Sequence, residues 1–164
     1  MSARLTGKVI LVTGATGGIG EAAAERFVQE GASVVLIDLA EAPLQALAGR
    51  LGEAASAIAA DVSDEAAMAG VVAEAAERHR RIDGAVLNAG IEGRIRPLEE
   101  QSLADFDRVM AVNVRGVFIG LKALFPIMRR QGGGSIVITS SIAGTRGSAN
   151  LAPYSTSKHA VVGL

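Results

Sequence analysis

Residues 8–20 read KVILVTGATGGIG, and this stretch decides the fold class of the chain. Residues 8–13 are a continuous apolar run rich in β-branched side chains, which predicts a buried strand. The glycines that follow allow a tight turn, and a helical pattern starts at Glu21. Because a helix N-terminus offers unpaired N–H groups and a positive dipole end, the stretch predicts a phosphate-binding turn between a strand and a helix.

The alternation of short apolar runs and helical patterns continues along the chain. Further strands are predicted at residues 33–37, 57–60, 84–87 and 135–139, and helices at 21–30, 43–51, 64–80, 103–130 and from 153 onward. Ser63 is the expected N-cap of the third helix, and Pro126 is expected to kink or break the fourth. Continuously apolar strands are typical of a parallel sheet covered on both faces. We predict one α/β domain over residues 1–164, with a doubly wound parallel sheet in three layers.

Composition narrows the class of function. Of the 164 residues 49% are hydrophobic and 20% charged, and the net charge of -1 gives no reason to expect nucleic acid or an anionic membrane as a partner. No uninterrupted apolar stretch reaches the ~18 residues of a membrane helix. The absence of cysteine excludes thiolate metal sites, and the two histidines, His79 and His159, lack ligand-spaced partners, so no metal is expected. A cytoplasmic enzyme is the expectation.

The end of the sequence is unusual. The last helical pattern is still apolar at Leu164. The fifth strand would then form a hydrophobic sheet edge, which natural proteins usually cover or pair. We therefore expect a longer protein that has been truncated after the fifth strand and the start of the last helix.

Asp38 follows the second predicted strand and bears on the choice of nucleotide. A carboxylate at this place can accept hydrogen bonds from ribose 2′- and 3′-hydroxyl groups, and it would repel a 2′-phosphate. No Arg or Lys follows at residues 39–42 to neutralise such a phosphate, and position 17 is glycine. The pattern favours NAD over NADP.

Tyr154 and Lys158 lie one helical turn apart, so the two side chains share a face of the last helix. A free phenol has a pKa of about 10, and a cation beside it favours the phenolate. Such a phenol can exchange a proton with an alcohol or a carbonyl oxygen near neutral pH. Tyr154 is the only tyrosine of the chain.

Together these residues resemble the short-chain dehydrogenase/reductase family, in its single-domain branch. The motifs that carry the resemblance appear in order: Thr-Gly-x-x-x-Gly-Ile-Gly at 13–20, Asp-Val at 61–62, Asn-Ala-Gly at 88–90, asparagine at 113, Ser-Ser at 140–141 and Tyr-x-x-x-Lys at 154–158. The resemblance implies a Rossmann-like fold. It also implies these cofactor-binding residues: Gly14, Thr16, Gly17, Gly18, Ile19, Gly20, Asp38, Asp61, Val62, Asn88, Ala89, Gly90, Tyr154 and Lys158.

The resemblance also implies catalytic roles. Tyr154 would be the general acid/base, and Lys158 would favour its phenolate and hold the nicotinamide ribose. Ser141 would hydrogen-bond the substrate oxygen, with Ser140 as its adjacent rival. Asn113 would hold a water that links Lys158 to solvent. Asn88 is expected to be mainly structural.

The expected function is therefore hydride transfer between NAD(H) and a secondary alcohol or ketone, a small-molecule reaction of the 1.1.1 class. Two alternatives stay open: an NADP-dependent reductase acting on 3-oxoacyl thioesters, and a truncated nucleotide-binding module without turnover. The family commonly forms dimers or tetramers, so a homo-oligomer is expected.

Overall fold

Five short strands form one parallel sheet in the computed structural model, which describes residues 3–164. The strands are β1 (Val9–Thr13), β2 (Ser33–Asp38), β3 (Ala55–Ala59), β4 (Gly84–Leu87) and β5 (Ser135–Ile138). Their order is β3-β2-β1-β4-β5, and all four neighbouring pairs are parallel. The direction in which strands are added reverses between β1 and β4. In such sheets the crevice for a ligand opens at this point, outside the carboxyl ends of the strands.

Six α-helices connect the strands or follow them. They are α1 (Gly18–Gln29), α2 (Glu41–Leu51), α3 (Glu65–His79), α4 (Leu103–Met110), α5 (Gly116–Arg130) and α6 (Ala152–Val162). Short 3₁₀ turns lie at Gly52–Ala54, Leu98–Glu100 and Ile142–Gly144.

The helices cover both faces of the sheet, which makes three layers. Successive side chains of a strand point to opposite faces. Accordingly Leu11 and Val35 pack in one apolar core with α3 and α5, while Val12 and Leu36 pack in a second core with α1 and α2. The doubly wound parallel sheet expected from the sequence is thereby confirmed, and both cores rest on the continuously apolar strands.

Residues 103–130 are helical, as predicted, with a π-helical turn at Ala111–Arg115. Pro126 lies inside α5 and does not break it. One local prediction is wrong. The N-cap of α3 is Asp64, whose carboxylate accepts hydrogen bonds from the N–H groups of Ala66 and Ala67. The Ser63 hydroxyl bonds the carboxylate of Asp61 instead.

The stretch Leu103–Arg130 also bears on the membrane expectation. It is long enough, and an 18-residue window within it, with a mean hydropathy of 1.4, is apolar enough, to cross a membrane by length and composition alone. A core helix of a soluble protein passes the same test, and Ile119, Leu121 and Leu124 of this stretch pack in the core. Charged and polar residues such as Asp107, Arg108 and Lys122 interrupt this stretch, so it contains no uninterrupted apolar run of the length expected for a membrane helix.

Candidate active site

The turn between β1 and α1 brings two strand ends into close contact. Gly14 has a φ of +63°, and a Cβ atom placed on it would lie 2.8 Å from the Cα of Ala89, which follows β4. A Cβ atom on Gly20 would collide with the carbonyl oxygen of Gly14. Only glycine fits at these two positions, so the sequence of the turn is required by its backbone path.

In front of the turn the space is open. A Cβ atom on Gly18 would have no neighbour within 4 Å, and Gly18 is the first residue of α1. The start of α1, with the positive end of the helix dipole, is therefore uncovered, and Gly17 immediately before it lines the cleft. Ile19 is 65% exposed on the same turn.

The Thr13 hydroxyl ties the turn to the end of β4. Its oxygen accepts hydrogen bonds from the backbone N–H groups of Asn88, at 3.0 Å, and Ala89, at 3.1 Å. The side-chain amide of Asn88 donates to the carbonyl oxygen of Gly14 at 3.2 Å. Asn88 thus holds the backbone in place, and Thr13 is a positioning residue that the sequence analysis did not single out.

Asp38 stands at the carboxyl end of β2 with its carboxylate held in place. Its Oδ2 accepts hydrogen bonds from the backbone N–H of Thr16 at 2.9 Å and from the Thr16 hydroxyl at 2.7 Å. Its Oδ1 accepts from the N–H of Leu39 at 2.7 Å. Because two carboxylate oxygens offer about four lone-pair sites, acceptor capacity remains for a ligand hydroxyl.

A cleft of about 550 Å³ opens along these strand ends. Its lining includes the following predicted cofactor residues: Gly14, Thr16, Gly17, Asp38, Asp61, Val62, Asn88, Ala89 and Gly90. The lining also includes Arg108, Ala111 and Val112, which the sequence analysis missed. Their only sequence signal is that they lie within about one helical turn N-terminal to Asn113. The size and the lining suit a dinucleotide.

Asp61 also lines the cleft. Its Oδ1 accepts hydrogen bonds from the backbone N–H of Ser63 at 2.8 Å and from the Ser63 hydroxyl at 2.7 Å. These bonds, followed by the positive charge of Arg115, hold the pKa of Asp61 below its usual value. The carboxylate is therefore ionised at neutral pH and keeps its acceptor capacity.

Lys158 is buried and carries no counterion. Its residue is 4% exposed, and none of the ion pairs formed within residues 3–164 includes it. Its Nζ donates to the carbonyl oxygen of Thr139 at 2.9 Å and lies 5.6 Å from the centre of the Tyr154 ring. Burial holds the pKa of Lys158 below its usual value. A buried ammonium group beside a phenol is costly for folding and useful for proton transfer.

Asn113 reaches the same place from the π-helical turn. Its side chain accepts a hydrogen bond from the N–H of Ile91 at 2.8 Å and donates to the Ile91 carbonyl oxygen at 2.9 Å. It also donates to the Ser157 hydroxyl at 2.9 Å, which in turn donates to the Tyr154 carbonyl oxygen. A Cβ atom on Gly90 would lie 3.3 Å from Asn113 Oδ1 and 3.5 Å from Lys158 Nζ. Asn113 and Lys158 therefore meet at the end of the cleft marked by Gly90.

The two adjacent serines differ in their partners. The Ser140 hydroxyl donates to the Lys158 carbonyl oxygen at 3.0 Å and so ties the loop after β5 to α6. The Ser141 hydroxyl accepts from the N–H of Ala143 at 3.1 Å and caps a 3₁₀ turn. Within residues 3–164 the Ser141 hydroxyl donates to no acceptor, so its O–H is available for a substrate oxygen.

No metal centre emerges from this geometry. Across residues 3–164, no three His, Cys, Asp or Glu side chains come together as a ligand set.

Comparison with known proteins agrees with this arrangement. The family model for short chain dehydrogenase matches residues 8–164. Levodione reductase of Leifsonia aquatica is 44% identical over 166 residues, which cover 98% of this chain and 62% of that protein. Its crystal structure superposes with a TM-score of 0.94 and 43% identity, covering 98% of this chain and 64% of that one.

Two further solved structures are similar. The structure of an NAD+-bound xylitol dehydrogenase has a TM-score of 0.95 and 38% identity, covering 98% of this chain and 63% of that one. A 3-ketoacyl-(acyl-carrier-protein) reductase from Brucella melitensis, complexed with NADH, has a TM-score of 0.93 and 38% identity, covering 97% of this chain and 67% of that one. The chain thus spans between 62% and 67% of the length of these proteins.

Proposed function

The chain belongs to the short-chain dehydrogenase family, and from this premise we propose that it transfers a hydride between NAD(H) and a secondary alcohol or ketone. Residues 1–164 act as one dinucleotide-binding and catalytic domain. One observation carries the proposal: the buried Lys158 ammonium group, which has no ion-pair partner within residues 3–164, lies 5.6 Å from the centre of the Tyr154 ring and next to Gly90, which lines the cleft.

Tyr154 is the proton-transfer group of the proposed reaction. NAD, when bound, supplies the hydride acceptor at its nicotinamide ring. In the oxidation direction Tyr154 takes the hydroxyl proton of the alcohol, and in the reduction direction it returns the proton to the carbonyl oxygen. The Lys158 ammonium group favours the phenolate that this exchange requires. Ser141 donates a hydrogen bond to the substrate oxygen, where negative charge develops in the transition state.

Asn113 supports the exchange by position. Its amide N–H groups are used by Ile91 and Ser157, and its Oδ1 keeps one lone pair beyond the bond from Ile91. That lone pair can accept a hydrogen bond from a water that links Lys158 to solvent. The proposed role thus uses the one hydrogen-bonding position of Asn113 that the protein leaves free.

The proposed preference for NAD over NADP rests on Asp38. Its carboxylate can accept hydrogen bonds from the ribose hydroxyls, whereas the 2′-phosphate of NADP would meet a negative charge that is fixed by Thr16 and Leu39. The NAD+ and NADH found in two of the similar structures support this preference.

The proposal is tested by steady-state turnover of a panel of secondary alcohols with NAD. Tyr154→Phe removes the proton but keeps the ring, so we expect turnover to fall about 10²–10⁴-fold. The dissociation constant of NAD, measured by calorimetry, should change less than about twofold, because the adenosine end of the cleft is untouched. Retained turnover in Tyr154→Phe would rule out this residue as the acid/base. NAD binding without turnover of any substrate would support a nucleotide-binding module instead.

A second candidate is a reductase of 3-oxoacyl thioesters that uses NADP. It is favoured by the similarity to the Brucella reductase, although that protein is complexed with NADH. Calorimetry separates the two candidates: Asp38→Ala should weaken NAD binding about tenfold and improve NADP binding. A wild-type preference for NADP would refute the argument from Asp38.

The remaining expectations are also part of the proposal. The partner is a small-molecule alcohol or ketone, and the protein acts in the cytoplasm as a homo-oligomer. Phe118 and Phe125 of α5 are 55% and 54% exposed, which suits burial between copies.

A further inference from the structure

A single side chain fastens the loop after β4 to the turn before α6. The Nε2 group of Gln101 lies 3.0 Å from the carbonyl oxygen of Arg94, 2.9 Å from that of Arg96 and 3.2 Å from that of Asn150. The backbone N–H of Arg96 also donates to the Asn150 carbonyl oxygen at 3.0 Å. We call this arrangement the Gln101 clamp.

The chemistry of the clamp requires donors only. Nε2 has two hydrogen atoms for three carbonyl oxygens, so one hydrogen is shared between two of them. The other end of the amide, Oε1, is buried and accepts no hydrogen bond from residues 3–164. The opposite amide orientation would place Oε1 against three carbonyl oxygens, and the acceptors therefore fix the assignment of the amide.

The turn held by the clamp leads directly into Tyr154. Asn150 has a left-handed φ of +63°, and α6 begins two residues later at Ala152. The same turn is closed from the other side, because the N–H of Ser148 donates to the Ser155 hydroxyl at 3.2 Å. Tyr154 lies in the first turn of α6, so its direction depends on how this turn is held.

The loop has a second fixed end at Ile91. There Asn113 bonds both backbone polar groups of Ile91. Two carboxamide side chains at the carboxyl end of the sheet thus hold the segment of residues 91–100: Asn113 bonds its first residue, and Gln101 bonds the carbonyl oxygens of Arg94 and Arg96. Ile91 lines the cleft, and the Arg96 N–H is bonded to Asn150 in the turn that leads into Tyr154. The segment therefore connects the cleft with the start of α6.

We propose that Gln101 is a positioning residue that sets the substrate side of the active site by locking residues 91–100 to the turn before Tyr154. The inference rests on the proposed function for its effect on turnover. It goes beyond that function, because it assigns control of substrate binding to a side chain that contacts neither the cofactor cleft nor the reacting atoms.

Three variants and one control test the clamp. Gln101→Met keeps the length and removes both N–H donors. Gln101→Lys restores donors without an acceptor, and it should rescue the clamp because Oε1 has no partner. The matched control is Gln131→Met, since the Gln131 amide donates to the carbonyl oxygens of Ile82 and Gly133 at the opposite end of the sheet. Gln101→Glu places carboxylate oxygens against the three carbonyl oxygens and should be the most disruptive variant.

Two readouts do not depend on turnover. Hydrogen exchange at the Arg96 amide should be about tenfold faster in Gln101→Met and Gln101→Glu, and unchanged in Gln101→Lys and Gln131→Met. Because Tyr154 is the only tyrosine, labelling tyrosine with ¹³C at Cζ gives one signal that reports on this phenol. That signal should shift in Gln101→Met and stay in place in Gln131→Met.

The third readout links the clamp to catalysis. With an alcohol that the wild-type protein turns over, Gln101→Met should raise KM about tenfold with a smaller change in kcat, and leave the dissociation constant of NAD within about twofold. An unchanged Arg96 exchange rate or Tyr154 signal in Gln101→Met would overturn the proposal, as would equal shifts in Gln131→Met. If Gln101→Met does not fold, loss of Arg96 protection in Gln101→Lys overturns it. Absence of turnover in the wild type would refute the proposed function and leave the first two readouts decisive for the clamp.

Discussion

The two ends of the sheet differ in how their buried or partly buried charged side chains are paired. At the amino end Asp83 accepts hydrogen bonds from the Val9 N–H, from Lys8 and from Arg81, and these partners, Arg81 foremost, lower its pKa to about 2. At the carboxyl end Lys158 is buried with a carbonyl oxygen as its hydrogen-bond acceptor, and burial alone lowers its pKa. The Asp83 carboxylate at the amino end is thus paired with cations, whereas the buried Lys158 ammonium group at the carboxyl end has no carboxylate partner within residues 3–164.

The charged group at the amino end favours folding, whereas the one at the carboxyl end opposes folding and calls for a functional explanation. A carboxylate with several donors is more stable ionised in the folded chain than in the unfolded chain, so the amino end contributes to folding. An uncompensated buried cation opposes folding, and it persists only where it has another use. The comparison therefore supports the proposal that the active site lies at the carboxyl end of the sheet.

Replacing the buried cation should have the largest effect. In Lys158→Met we expect turnover to fall about 10²–10⁴-fold, because the phenolate of Tyr154 loses its cation. The free energy of unfolding at pH 7 should rise by about 1 kcal/mol, because burying the methionine side chain avoids the desolvation cost of the buried ammonium group. The lost hydrogen bond to the Thr139 carbonyl oxygen offsets part of this gain. Turnover assays and urea unfolding measure the two effects.

The pH dependence gives the sign of the stability effect. The pKa of Lys158 is lower in the folded chain than in the unfolded chain, so the unfolded state holds more protons between the two values. The buried Lys158 ammonium group therefore destabilises the fold fully at pH values below its pKa in the folded chain. As pH rises above this pKa the group loses its proton and the destabilisation decreases. The gain in stability from Lys158→Met should decrease over the same pH range. Lys122→Met is the control, because Lys122 is exposed and paired with Glu65. A loss of stability in Lys158→Met at pH 7 would contradict the comparison.

Two glycines, Gly84 at the start of β4 and Gly90 three residues after its end, allow a matched test of the two ends of the sheet. Gly90→Ala would bring a methyl group to 3.3 Å from Asn113 Oδ1, so the amide must move by a few tenths of an ångström. Gly84→Ala would meet only ordinary contacts, at 3.5 Å from the Ser135 carbonyl oxygen and 3.6 Å from Ile10. We expect Gly90→Ala to lower kcat/KM about tenfold, since small displacements of catalytic groups are costly. Gly84→Ala should leave turnover unchanged and raise stability by up to about 1 kcal/mol. Equal losses of turnover in both would remove the distinction.

The sequence predicts those features that one element determines by itself. Tyr154 and Lys158 share a helix face because residues four apart in a helix lie on the same side. Gly14 and Gly20 indicate a tight backbone turn, since a Cβ atom at either position would clash with neighbouring backbone atoms. The predicted strand bounds agree with the structure within one or two residues. The central strands β1, β2 and β4 are mostly buried, as their apolar runs indicate, whereas the edge strands β3 and β5 are partly exposed.

Features that depend on distant partners were not predictable. The π-helical turn at Asn113 has no periodic signal, because its extra residue is stabilised by Ile91 and Ser157. The Gln101 clamp joins carbonyl oxygens from two loops, and a carboxamide in a polar stretch looks like any exposed glutamine. The choice of Ser141 over Ser140 follows from the resemblance and stays a prediction. The structure adds that the Ser140 hydroxyl is bonded to α6.

Breaking the paired charge at the amino end should have the smallest effect and a different pH dependence. Asp83→Asn should lower the free energy of unfolding at pH 7 by about 1 kcal/mol, a value reduced for screening because Lys8 and Arg81 are half exposed. Because the pKa of Asp83 is about 2 when folded and about 3.9 when unfolded, the contribution is present above pH 4 and disappears as pH falls toward 2. Urea unfolding from pH 7 down to pH 2 measures this loss, with Glu100→Gln, which removes an exposed ion pair, as the control. Turnover should be unchanged at pH 7, because the altered carboxylate lies at the opposite end of the strands from Tyr154. A drop in turnover with unchanged stability in Asp83→Asn would contradict the assignment of stability to the amino end and of turnover to the carboxyl end.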